Sequence, residues 1–177
     1  MSVFSPMEVV LIGFVSLAAI TDLASRKISN VLVLCGLLSA LLLHVQHGNY
    51  ASLQIWLGGM LAGFAMLLPF YLLRGMAAGD VKLMATVGAF TGPSMVMQIS
   101  LATFLIGGLM ALVIVIAKRR LRDVLRNMAF LVAVALRRAM GFPLRAVPLA
   151  PGASVGGMPY GLAIALGTLL LLCLRHL

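Results

Sequence analysis

Long apolar runs separated by short polar breaks leave this chain few choices of fold. The runs are Pro6–Ile20, Val31–Val45, Leu53–Leu73, Val81–Met97, Ile99–Ala117 and Tyr160–Leu174. A helix needs about 20 predominantly apolar residues to cross a hydrocarbon core of about 30 Å. Inside that core every backbone N–H and C=O must be satisfied within the protein, which a helix does locally. Composition excludes the soluble alternative. The chain is 63% hydrophobic and only 10% charged, against about a quarter charged in a soluble domain, and its mean hydropathy is +1.15. The expectation is an all-α polytopic membrane protein with six transmembrane helices.

Local signals refine the runs. Ser5 can cap the first, Pro6 suits the first helical position, and Glu8 suits the positive end of the helix dipole. No basic region precedes this run, so it reads as a retained helix rather than a cleaved signal. The second run is short, and Ile28 or tilt can extend it. Gly59-x-x-x-Gly63 gives the third a small-residue face for close helix contact, and Pro69 predicts a kink near its end. Gly92-Pro93 interrupts the fourth. Between the fifth and sixth runs the composition changes. Lys118, Arg119, Arg120, Arg122, Arg126, Arg137, Arg138 and Arg145 fall in one stretch. Met128–Leu136 within it is too short to span, so it reads as an amphipathic helix at the interface. Residues 1–177 form one domain in this reading, with 118–158 as a basic cytoplasmic segment.

The net charge of +9 sets orientation in such a chain and favours anionic lipid, not nucleic acid, as the partner. Every Lys and Arg except Arg175 falls after the first, third or fifth run. Those breaks are therefore expected in the cytoplasm, with both termini on the outer face of the membrane.

The chain has four acidic residues, and two of them, Asp22 and Asp80, fall at cytoplasmic ends of apolar runs. Asp80 precedes a helical run, where Asp is a good N-cap. Asp22 ends a helix, where the dipole disfavours negative charge, and it needs a partner; Arg26 and Lys27 are the candidates. Acids at membrane depth point to function. Two neighbouring carboxylates cannot both ionise cheaply, so they share a proton. The ionised one can take a proton from water while the protonated one polarises a peptide carbonyl, which is aspartyl-protease chemistry. Gly79, with the small Ala77 and Ala78, fits close approach of a substrate backbone. Lys82 can modulate Asp80 or anchor at the interface.

Other chemistries lack parts. His44, His47 and His176 map to the outer side, and there is no G-x-S-x-G or H-E-x-x-H. Glu8 is also on the outer side, and Asp123 among arginines reads as a surface ion pair. Cys35 and Cys173 lie far apart inside apolar runs and read as small hydrophobes. No metal and no cofactor is expected.

Three segments resemble the type IV prepilin peptidases, in the short form found with Flp/Tad-type pili. Asp22-Leu-Ala-Ser-Arg-Lys-Ile-Ser-Asn30 is similar to the family's D-x(3)-R-x-I-x-N loop. Gly75-Met-Ala-Ala-Gly-Asp-Val-Lys-Leu83 is similar to its G-x-G-D-V-K-L signature, and Met158-Pro-Tyr-Gly-Leu-Ala-Ile-Ala165 to its P-Y-G-P-A-I segment. The resemblance implies a membrane aspartyl endopeptidase of the bacterial inner membrane that cleaves prepilins, a basic leader followed by a hydrophobic helix, at the cytoplasmic face. It implies Asp22 and Asp80 as the catalytic pair, with Gly79, Ala77 and Lys82 as candidates for substrate contact. The chain departs from the pattern at Ala77, where the family has glycine. It also lacks the C-x-x-C loop of the long forms, so peptidase activity without methyltransferase activity is expected. Two other readings compete. A proton-coupled transporter would place the acids near the bilayer midplane in an inverted repeat. An inactive pilus-assembly scaffold is suggested only by Ala77.

Overall fold

The computed structural model describes residues 5–46, 50–73, 75–119, 126 and 159–177. Among them are six helices: α1 (Pro6–Ser25), α2 (Asn30–Gln46), α3 (Tyr50–Leu72), α4 (Ala78–Thr91), α5 (Pro93–Ala117) and α6 (Tyr160–His176). The chain divides into two compact units, Met1–Gly107 with Pro159–Leu177, and Gly108–Met158. The first unit contains α1 to α4, most of α5, and α6. The described part of the second is the end of α5 with the turn that follows it, and Arg126. The amphipathic helix expected over Met128–Leu136 and the ion pair expected of Asp123 lie outside the described residues.

The all-helical expectation holds, but six full spans are not supported. Among the described residues, three helices are long and apolar enough to cross a membrane: α1, α3 and α5. The apolar α2 and α6 have 17 residues each, and α4 has 14. At 1.5 Å per residue α4 covers about 21 Å, against a hydrocarbon core of about 30 Å. The fourth run was expected to continue to Met97. It stops because Gly92 adopts φ 80, a left-handed conformation that glycine tolerates best, and Pro93 then opens α5. Gly92-Pro93 is thus a boundary between helices, and residues 93–97 belong to α5.

Short α4 is the centre of the first unit. Val81 and Leu83 to Phe90 are all buried along it. Its closest neighbour is α3, and glycine makes that closeness possible. A Cβ built on Gly59 would collide with the Gly88 carbonyl and lie 2.8 Å from Gly92 Cα, and one on Gly63 would collide with the Met84 backbone. The Gly59/Gly63 face is therefore an internal seam between α3 and α4. Elsewhere around α4, Gly36 of α2 leaves room for Thr86 and the Phe14 ring. Phe14 of α1 packs against Phe90 with ring centroids 6.1 Å apart. Outside this core, Leu17, Leu38, Leu42, Leu61, Leu101 and Leu105 stand exposed. Such a surface suits lipid rather than water, as expected of an integral membrane protein.

The helix ends sort into two sets. Ser5 and Glu8 form a capping box at the start of α1. There Glu8 meets the end of α6, with Oε2 3.3 Å from His176 Nε2 and Oε1 3.6 Å from Arg175. At the other end of α1, Asp22 meets the first turn of α6. The two helices therefore run antiparallel, and the 14 residues from Glu8 to Asp22 place these ends about 21 Å apart. Pro69, where a kink was expected, lies in the last turn of α3.

Candidate active site

Asp22 and Asp80 come to the same end of the first unit from different elements. α1 does not stop at Ile20 but continues to Ser25, so Asp22 sits within its last turn, with Arg26 as a left-handed C-cap at φ 52. The polar break expected between Ile20 and Val31 shrinks accordingly, and Asn30 already opens α2. Asp22 is 5% exposed and Asp80 6%. The two carboxyl groups are near enough to interact electrostatically, and Asp80 interacts in the same way with Tyr160 at the start of α6.

Each acid has a backbone N–H as its partner. Arg26 and Lys27, the expected partners of Asp22, form no ion pair with it. Instead Asp22 Oδ2 accepts a hydrogen bond of 2.8 Å from the Gly161 N–H. The physical reason is polarity. The first turn of α6 has free N–H groups and the positive end of a dipole, which offset a carboxylate at the negative end of α1. Asp80 is not the N-cap of α4, as its sequence position had allowed. Ala77 holds that place and Asp80 is three residues inside, from where its Oδ2 reaches back to accept from the Ala77 N–H at 3.2 Å. Asp80 therefore serves the helix end while its carboxyl stays at the junction of α1, α4 and α6.

The three residues proposed for substrate contact are placed differently from one another. Gly79 lies in the first turn of α4, and the space its missing Cβ leaves is taken by Ile28, whose Cβ would be 3.3 Å away. Its role in the structure is to let the Arg26–Ser29 connection cross close over α4. Ala77 is exposed with φ −80 and ψ 151, extended backbone that any residue adopts. Lys82 is exposed and its Nζ donates to Asn30 Oδ1 at 2.9 Å. It thus joins α4 to the start of α2, linking the two segments that carry the acids.

The two described histidines stay away from this end. His44 is 6% exposed near the C-terminal end of α2, with Nε2 3.0 Å from the Ala89 carbonyl oxygen. His176 is beside Glu8, and His47 lies outside the described residues. Among the described residues no group of three or more His, Cys, Asp or Glu is arranged to hold a metal ion. Sequence reasoning missed the Gly161 amide and the Asn30 amide oxygen. Both lie in segments singled out for their pattern, but a hydrogen bond between distant elements leaves no mark in spacing.

A family model described as the type IV leader peptidase family matches residues 9–112, more than half of the chain. The match includes both acids and ends before α6. No curated protein and no solved structure is similar enough to the chain to match.

Proposed function

Because the chain belongs to the type IV leader peptidase family, we propose that it is a membrane aspartyl endopeptidase that removes the leader from Flp-type prepilins, with Asp22 and Asp80 as its catalytic pair. The observation that carries this reading is that two buried acids from separate helices lie near enough to interact electrostatically, both inside the stretch that matches the family.

In the proposed reaction the two carboxyls share one proton. The ionised member takes a proton from water, and the resulting nucleophile attacks the scissile carbonyl. The protonated member donates to that carbonyl oxygen as it becomes an oxyanion. Collapse of the tetrahedral intermediate then passes a proton to the leaving amine. A position at helix ends suits a cut beside, rather than within, the substrate's hydrophobic helix, because an aqueous leader can reach it. It also disfavours proton transport, which calls for acids near mid-membrane. The charge distribution along the chain supports a cytoplasmic position for this end, in the bacterial inner membrane, with both termini in the periplasm. Absence of C-x-x-C pairs supports peptidase activity without methyl transfer.

The ordinary backbone at Ala77 supports an active enzyme over an inactive scaffold, since no glycine-only conformation is required there. Co-expression with a Flp-type prepilin tests the proposal. Wild-type protein should convert the precursor to the shorter mature form, and Asp22→Ala and Asp80→Ala should each abolish conversion. Conversion that survives either substitution refutes the assignment.

A further inference from the structure

We propose that the first turn of α6 is a working part of this site, with the Gly161 amide as the positioning group for Asp22. The inference rests on the peptidase reading above and adds a residue outside the family-matched stretch.

The contact is short, buried and directional. The Gly161 N–H points at Asp22 Oδ2 from 2.8 Å, and a hydrogen bond to a carboxylate is roughly twice as strong as one between neutral groups. A side chain at residue 161 would disturb the contact. A Cβ there would lie 2.8 Å from Asp22 Oδ2 and 3.1 Å from both its Cβ and Cγ. The smallest side chain would push aside the carboxylate that the amide holds.

Two features aim this turn. Tyr160, the residue before, packs its ring against Gly107 of α5, where a Cβ would come within 2.8 Å of it. At the far end of the same helix, Arg175 and His176 hold Glu8. α1 and α6 are thus joined at both ends by a carboxylate of α1, and sliding or rolling α6 would break both contacts. The position of the Asp22 carboxyl is then set by α6 as well as by α1.

Kinetics of purified full-length protein in proteoliposomes, with a prepilin substrate, test this. Gly161→Ala should lower kcat by about 100-fold, the scale of a reacting group displaced by about 1 Å, with KM and the thermal unfolding midpoint unchanged. Gly167→Ala is the packing control. Its Cβ would meet the Thr103 backbone N at 3.1 Å and Cα at 3.3 Å, which cannot swing aside as the end of the Asp22 side chain can, so it should lower the unfolding midpoint and leave kcat of the folded enzyme intact. A normal kcat for Gly161→Ala overturns the proposal, as does a loss that only parallels unfolding. Should Gly161→Ala not fold, the amide resonance of Gly161 in 15N-glycine-labelled protein decides. It should move on Asp22→Asn more than any other glycine resonance, and an unmoved resonance refutes the contact. Asp22→Ala and Asp80→Ala run alongside. If they retain activity the peptidase reading fails; if they are dead and Gly161→Ala is normal, only the present inference fails.

Discussion

Ala77 stands where the family pattern has glycine, and its backbone explains why that is permissible. At φ −80 and ψ 151 it needs none of the freedom that glycine provides. Its side chain is exposed, and the service it gives α4 is its N–H, held by Asp80. Ala77→Gly should therefore leave kcat/KM within about twofold and raise stability by about 0.5–1 kcal/mol, because glycine is the better N-cap of the two. Steady-state cleavage rates and thermal unfolding in detergent check this. A gain of tenfold or more in kcat/KM would instead show that the methyl group obstructs the substrate. Gly79 contrasts with Ala77. Its hydrogen faces Ile28 across a gap that a side chain would fill, so at that position glycine serves packing between elements.

Among the described helices, α4 is the shortest and has the most buried positions. It brings Asp80 to the site, so whatever fixes α4 fixes the acid. The α3–α4 seam does most of this, through backbones too close for any side chain at Gly59, Gly63 or Gly88. In a membrane such approach is driven by van der Waals packing of small residues, because lipid is as apolar as the helix surfaces. Gly59→Val should force α3 and α4 apart at a cost of about 1–3 kcal/mol or more, lowering the unfolding midpoint and the processing rate together. Gly58→Val is the comparison. Its Cβ would meet only Pro93 Cγ at 3.9 Å, so both quantities should stay near wild type. Lys82 and Asn30 add a weaker tie between α4 and α2, weaker because both groups are exposed to solvent.

On the scale of the whole molecule, charge and polar contacts divide between the two ends of the first unit. Asp22, Asp80 and the start of α6 occupy one end, Glu8, Arg175 and His176 the other. The proposed orientation puts the acid end in the cytoplasm. A reporter fused after Leu73 or after Ala117 should read cytoplasmic, and one fused after Gly92 periplasmic. The reverse pattern would place the acids on the face away from a basic leader and contradict the proposed cut site.

The sequence by itself determined the class of molecule and singled out the two acids as candidates. Hydrophobic runs demand helices in lipid, so that class can be read from order along the chain. Asp22 and Asp80 stood out because a carboxylate between apolar runs is expensive wherever it lies. Helix length was less legible. Residues 83–97 carry no charge, and only the positive-φ backbone at Gly92 divides them between α4 and α5, leaving α4 too short to cross on its own. The partners of the acids were not legible at all. Arg26 and Lys27 were near in sequence and opposite in charge, yet the group that meets Asp22 is a backbone amide on the last helix. A backbone N–H is present at nearly every residue, so composition cannot mark the one that matters. Antiparallel packing of α1 on α6 selects it, and the missing side chain at Gly161 lets the carboxylate reach it.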